Sequence, residues 1–335
     1  MKICQVRLRS AFGIEYRLGI LLDDTTVLDV NNVWNLKFEK EGRYNASDRA
    51  NYYSPNSLHK ILNLKDNPIA FFQESLELFK SFNSKGDLKL KGGQHLTYKL
   101  DGNEISLAKP IDKISTYRDF YAHEKHVAKG FEKRKEPIPE AWYEIPAYYK
   151  GPSLGFIGPE EEILWPSYTN ILDYELELGM IIAREGKNLK AEKAHEHIFG
   201  FTILNDISAR DIQKKEMAIR LGPAKGKDFC SVIGPVITTI DEFGGKEPNL
   251  LMTATINGEE WSRGHSGDSH FSFAEMIAHV SMDEWVIPGD FFGSGTVGTG
   301  CGLEIDKWIQ EGDEIELNIE HIGSLKNKIG KKRKS

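Results

Sequence analysis

The sharpest pattern of apolar and polar positions in the chain is the run Leu172-Asp173-Tyr174-Glu175-Leu176-Glu177-Leu178-Gly179-Met180, which alternates strictly. A period of two predicts a half-buried strand, with Leu172, Tyr174, Leu176, Leu178 and Met180 on one face and Asp173, Glu175 and Glu177 on the other. Glutamate is a poor strand former, and like charges on one face repel. Same-face neighbours such as Glu175 and Glu177 stand only about 7 Å apart along a strand. Either this acidic face is solvated, or a cation sits on it and offsets the repulsion. Hard divalent cations such as Mg²⁺ take carboxylate oxygens.

Elsewhere the pattern gives short strands and a few helices. Residues 3–30 read as strands with turns, and Gly19–Val30 reads as a hairpin around an Asp-rich turn. Asn67-Pro68 opens a helix, with Asn as the cap and Pro at the first helical position. Ile69, Phe72, Leu76 and Phe79 follow at helical spacing, and Gly86 closes the region. Residues 84–105 are polar and rich in Lys and Gly, which suggests strand edges and a loop. A domain boundary is expected near Pro110. Tyr117–Val127 then crowds aromatics, an acid and two histidines together, and on a helix Asp119, His123 and His126 would share a face. Residues 129–136 form a charged, helix-compatible run, and Pro137, Pro139 and Pro146 enforce a loop.

Residues 190–197 look helical, and Gly200–Asp206 is an apolar strand that ends in a polar pair. Asp206 fits either a metal ligand at a strand end or the cap of a helix carrying Arg210 and Gln213 on one side. Leu251–Ile256 meets Asn257-Gly258, a hairpin signal, and Ser272-x-x-Glu275 is a capping box for a helix through about Met282. The Gly-rich run Gly293–Gly302 lacks the Lys-Ser/Thr ending of a phosphate loop and opens no helix, so a dinucleotide fingerprint is rejected. Its glycines let the backbone approach a ligand closely. Leu303-Glu304-Ile305 reads as a strand.

Composition narrows the class. With 335 residues, 40% apolar and 28% charged, the chain is long enough for one large globular domain and a smaller one. No stretch approaches the roughly 20 apolar residues of a membrane span, and the N-terminus lacks a signal-peptide pattern. Cys4, Cys230 and Cys301 are widely spaced and odd in number, which gives no disulfide framework and no metal-ligand spacing and suggests a reducing cytoplasm. A net charge of −7 argues against a nucleic-acid binder. The basic run Lys331–Lys334 reads as a solvated end.

Taken in order, several short motifs resemble the fumarylacetoacetate hydrolase family. They are Asp119-Phe120-Tyr121 followed by His126, the Asp-x-Glu-x-Glu of Asp173, Glu175 and Glu177, and the run from Asn205-Asp206 through Ser208-Ala209-Arg210-Asp211-Ile212-Gln213. Gly226-Lys227-Asp228-Phe229 follows, then Gly295-Thr296-x-Gly298-x-Gly300 with Leu303-Glu304 downstream. Order and spacing match over residues 115–329. The resemblance implies an α+β, β-rich fold: a mixed β-sandwich roll as the catalytic domain over 111–329, a small N-terminal domain over 1–110, and a basic disordered tail over 330–335.

The resemblance also implies a divalent ion, Mg²⁺ or else Ca²⁺ or Mn²⁺, held by Asp119, Glu175, Glu177 and Asp206. Asp173 falls outside that ligand set and is expected to make a structural contact. The family's catalytic pair falls on His126 and Glu304, with Lys227, Arg210 and Gln213 assisting. Substrate contacts fall on Tyr121, Tyr149, Arg210, Gln213 and Thr296. Ser231 stands where the family usually has Thr. The implied reaction is cleavage of a C–C bond in a 1,3-diketo acid by activated water, as in aromatic amino acid catabolism. The alternative is an isomerase, hydratase or decarboxylase of a 2-oxo or enol acid on the same fold, and a third reading is a catalytically silent scaffold. The expected partners are a small-molecule substrate and a second copy of the chain, with no nucleic acid and no membrane.

Overall fold

The computed structural model describes residues 1–84, 88–102 and 104–334; Gly86, expected to close the first helical region, lies outside them. Strands β1 (Lys2–Ser10), β2 (Gly13–Leu21) and β3 (Thr26–Asp29) form the expected hairpins. Helices α1 (Val30–Lys40), α2 (Ala46–Tyr53), α3 (Leu58–Leu64) and α4 (Pro68–Asn83) follow. Asn67 caps α4 as its pattern predicts: its side chain accepts from the Ala70 N–H at 3.1 Å, and Pro68 starts the helix. These helices pack around the buried Trp34, whose indole N–H donates to Ser75 at 2.9 Å. Its ring lies 4.4 Å from that of Tyr53 and 5.9 Å from that of Phe71. Strands β4 (Thr97–Lys99) and β5 (Ile105–Ala108) return the chain to the sheet.

The next stretch holds β6 (Tyr117–Phe120), α5 (Glu124–Arg134), β7 (Tyr148–Gly151), β8 (Phe156–Ile157) and β9 (Ile163–Trp165). Asp119, His123 and His126 therefore do not share one helix. Asp119 is on a strand, His123 immediately precedes α5 without a capping side-chain bond, and His126 is in its first turn. Strands β10 (Leu172–Asp173) and β11 (Leu176–Ile182) divide the alternating run, and α6 (Ala191–Ala194) precedes β12 (Ile198–Asp206). After β13 (Ser208–Ala209), α7 (Arg210–Ile219) carries Arg210 and Gln213, and Asp206 ends its strand without capping the helix. Strands β14 (Ser231–Thr239), β15 (Leu251–Ile256) and β16 (Glu259–His265) follow, the last two joined at Asn257-Gly258 as expected. Helix α8 (Phe273–Val280) has the complete capping box.

After β17 (Phe291–Gly293), the segment expected as a strand at Leu303–Ile305 is instead a short helix, α9 (Gly302–Ile305). Its first N–H groups point at the buried Asp173 carboxylate, which holds the turn. Strands β18 (Glu314–Ile319) and β19 (Gly323–Lys332) end the fold. The basic end is thus β-structured as far as Lys332, because β19 pairs in parallel with β9.

The large sheet runs β4-β3-β2-β1-β14-β12-β11-β17-β6-β7, with β5 beside β1 and β8 beside β14. A second sheet runs β16-β15-β18-β19-β9. Hydrogen bonding crosses the expected boundary near Pro110, since β1 pairs antiparallel with β14. Two apolar clusters flank the large sheet. One holds the Leu172, Tyr174, Leu176, Leu178 and Met180 face, and the other holds Trp34 and the N-terminal helices. Replacing Asn67 by Ala removes the α4 cap and is expected to cost about 1 kcal/mol. Urea denaturation checks this as a lower midpoint at unchanged slope.

Candidate active site

Five neighbouring strands deliver one constellation. In the order β12-β11-β17-β6-β7, Asp206 ends β12 opposite Ser231 of β14, and Glu177 lies on β11. Gly293 of β17 sits between Gly179 of β11 and Asp119 of β6, and Asp119 faces Tyr149 of β7. Glu175, at the break between β10 and β11, bridges to Cys301. Asp119, Glu175, Glu177 and Asp206 are all buried, and each offers an oxygen within 4.8 Å of the others. The acidic face of the alternating run is therefore not solvated: every residue from 172 to 182 is buried. Gly293 makes the convergence sterically possible. A Cβ there would lie 2.3 Å from Asp119 Oδ1 and 2.9 Å from Glu177 Oε2.

Charge in this cluster is unbalanced. Lys227 Nζ lies 2.5 Å from both Glu175 Oε2 and Asp206 Oδ2. Arg210 Nη2 lies 2.7 Å from both Glu175 Oε1 and Asp173 Oδ2. Burial penalises the charge of Glu175, but Lys227, Arg210 and His126 outweigh it and hold the carboxyl below its usual range. Asp119 and Glu177 lack such partners. Burial and then the Asp206 charge push Asp119 well up, and burial and then Asp119 and Glu175 push Glu177 well up. Five buried carboxylates, counting Asp173, thus face two buried cations. Asp119 Oδ1 receives no donor from the chain. A set of hard oxygens with excess negative charge and an unserved ligand atom fits a divalent cation of the Mg²⁺, Ca²⁺ or Mn²⁺ kind.

Beside this cluster stands a second pair. His126 Nδ1 is 2.6 Å from Glu304 Oε1, and Glu304 Oε2 accepts the Thr299 N–H at 2.8 Å. The Tyr121 ring meets His126 edge-on with centroids 5.3 Å apart, and burial pushes the Tyr121 hydroxyl up to about 12. Asp173, expected as a structural contact, joins the two groups. It accepts from Arg210 Nε at 2.8 Å and from the N–H groups of Gly302 and Leu303 at 2.7 and 2.9 Å. Arg210 reaches the carboxylate cluster, and α9 carries Glu304. Gln213 accepts from Arg210 Nη1 at 2.9 Å, and Tyr149 donates to Asp206 at 2.7 Å. Thr296 donates to Glu177 at 3.3 Å, on the cluster itself. Ser231 keeps a hydroxyl contact to Asp206 at 3.3 Å.

Sequence reasoning missed two neighbours, Cys301 and Gly293, and named His123 without its surroundings. From sequence Cys301 reads only as a reduced thiol without metal-ligand spacing, yet its Sγ lies 3.6 Å from Glu304 Oε1. Its place three residues before Glu304 was the available signal. Gly293 was one glycine of a run, with nothing to mark it from the rest. His123 is buried with no partner on either ring nitrogen, and burial, then His126, lower it to about 4.

Comparison with known proteins extends the picture. Residues 115–330 match the family described as fumarylacetoacetate (FAA) hydrolase C-terminal. The oxaloacetate tautomerase YisK of Bacillus subtilis is 29% identical over 93% of this chain and 96% of its own length. The mitochondrial oxaloacetate tautomerase FAHD2A of Homo sapiens is 30% identical over 58% of this chain and 60% of its own. Among solved structures, maleylpyruvate hydrolase of Sphingobium sp. SYK-6, in complex with manganese(II) ion and pyruvate, superposes with a TM-score of 0.67. That pair shares 17% identity, with 99% of this chain and 100% of the other covered, so the likeness is one of fold.

Gly293→Ala is expected to abolish divalent-cation binding while the chain still folds, because the new methyl displaces Asp119 and Glu177; calorimetric titration with Mn²⁺ checks this. His123 sets a pH dependence. Its usual value is 6.5, so between about 6.5 and 4 the unfolded chain binds a proton that the folded chain refuses. Stability is therefore present above 6.5 and is lost as pH falls through that window, by about 3 kcal/mol. Denaturation midpoints measured against pH should show this slope flattened in His123→Leu.

Proposed function

The chain belongs to the fumarylacetoacetate hydrolase family, and from that premise we propose that it is a divalent-cation-dependent enzyme interconverting the keto and enol forms of a small 2-oxo acid. The observation that carries this reading is the 2.6 Å contact between His126 Nδ1 and Glu304 Oε1 beside the buried carboxylates. Ionised Glu304 keeps the ring proton on Nδ1, which leaves Nε2 as the base. Nε2 takes a proton from the carbon next to the carbonyl and returns it to the enolate. Asp119, Glu175, Glu177 and Asp206 would hold the cation, which when bound offsets the negative charge that grows on the 2-oxo group. Arg210 and Lys227 add fixed positive charge to the same spot, already oriented by Asp173, Glu175 and Asp206. Tyr121 walls the base. The tautomerase relative that spans nearly the whole chain supports this direction.

Hydrolysis of an acylpyruvate or fumarylacetoacetate-like diketone is the second reading. The same His126–Glu304 pair favours it, since Nε2 can equally take a proton from water, and hydrolases share the fold. Both reactions need the same base and the same enolate stabilisation, so one experiment separates them. Purified chain is given enol oxaloacetate and a panel of acylpyruvates, with Mg²⁺ or with chelator, and enol absorbance and released pyruvate are followed. The first reading expects loss of the enol band without release of a cleaved acid. In His126→Ala the rate should fall roughly 10²–10⁴-fold at unchanged Mg²⁺ affinity. Stoichiometric release of an acid and pyruvate establishes the second reading instead. Full activity in chelator, or in His126→Ala, overturns both.

A further inference from the structure

Apart from the four carboxylates, one other group of ligand-type side chains converges among the described residues: His126, Cys301 and Glu304, all buried. Their atoms are spaced like ligands of one ion. His126 Nδ1 to Glu304 Oε1 is 2.6 Å, Cys301 Sγ to Glu304 Oε1 is 3.6 Å, and Cys301 Sγ to His126 Nδ1 is 4.0 Å. A tetrahedral Zn²⁺ holds sulfur at about 2.3 Å and nitrogen or oxygen at about 2.0 Å, which sets ligand separations of roughly 3.3–3.6 Å. To hold the ion, the His126–Glu304 pair must open by under about 1 Å and the Cys301–His126 pair must close by a few tenths of an ångström. The donors are also held from behind, as ligands of a built metal site are. Thr299 N–H anchors the second oxygen of Glu304, and the Cys301 backbone bridges to Glu175.

The two clusters differ in chemistry. The carboxylate cluster offers only hard oxygen, whereas this one offers sulfur, imidazole nitrogen and one oxygen, which suits soft or borderline ions over Mg²⁺ and Ca²⁺. We infer that His126, Cys301 and Glu304 form a thiophilic cation site for Zn²⁺ or Cd²⁺, with a solvent water in the fourth position, and that filling it switches the His126–Glu304 pair off. The proton balance gives the reason. The ion takes Nδ1 and the thiolate, the thiol proton passes to solvent, and the ring proton moves from Nδ1 to Nε2. With Nε2 protonated, His126 has no lone pair left to accept a proton from substrate. No electron is transferred. Cation binding stands by itself, while the inhibition rests on the role proposed above for His126.

The test uses the full chain in saturating Mg²⁺, titrated with Cd²⁺ while the ultraviolet sulfur-to-metal charge-transfer band and enol turnover are recorded together. The carboxylate cluster has no sulfur, so it cannot give the band. The expected result is a band that saturates at one Cd²⁺ per chain, with turnover falling in step. Cys301→Ala and Cys301→Ser should lose the band and need at least about tenfold more Cd²⁺ to halve their own Mg²⁺-supported turnover. Cys4→Ala and Cys230→Ala should behave as the parent does. No band, or a band that survives in both Cys301 variants, overturns the site. A Cys301-dependent band that saturates with turnover undiminished supports the site and overturns the base role of His126.

Discussion

Everything in this structure leans on the burial of Asp119, Glu175, Glu177 and Asp206 at one point of a sheet. Removing an isolated carboxylate from water costs several kcal/mol, and four together repel one another as well. The chain answers part of that with Lys227 and Arg210, which lie within 2.7 Å of Glu175, and leaves Asp119 and Glu177 without a cationic side chain, the place the proposed divalent cation would fill. The rest of the fold reads as the frame that forces the carboxylates together: adjacent strands set the spacing, Gly293 clears the room, and two apolar clusters clamp the sheet.

The same frame ties the carboxylate cluster to the His126–Glu304 pair. Asp173 is fully buried and serves both halves of the site, Arg210 on one side and the first turn of α9 on the other. Because α9 presents Glu304 to His126, one arginine and one aspartate connect the carboxylate cluster to the His126–Glu304 pair. Gly302 makes this tether possible, since a Cβ there would lie 2.6 Å from Asp173 Oδ1. The His126–Glu304 pair and the cluster thus form one connected unit, as the proposed enolate chemistry requires, in which proton removal and charge stabilisation must coincide.

Much of this was legible in the sequence. The period-two run located two acids of the cluster, because alternation is local and the Glu residues contradict strand propensity. It did not tell that the acidic face is buried, since a strand's own sequence does not record what covers its second face. Tyr117–Phe120 is too short to show a period, so sequence spacing groups Asp119 with His123 and His126 on one helix, whereas Asp119 lies on β6, His123 just precedes α5, and only His126 is inside it. Leu303–Ile305 was read as a strand because apolar residues flank one acid. Its helical turn is imposed by Asp173, some 130 residues away in the chain. The pairing of β1 with β14 and the approach of Cys301 to Glu304 are likewise products of tertiary contact.

The most direct measurement is the denaturation midpoint of the parent chain and of Glu177→Gln, each with chelator and with saturating Mn²⁺. If uncompensated carboxylates are the central constraint, Mn²⁺ stabilises the parent by about 2.7 kcal/mol at one hundred times its dissociation constant. Glu177→Gln should then be more stable than the parent in chelator and indifferent to Mn²⁺. A Glu177→Gln chain that is weakened in chelator yet still gains the full Mn²⁺ stabilisation would contradict the account.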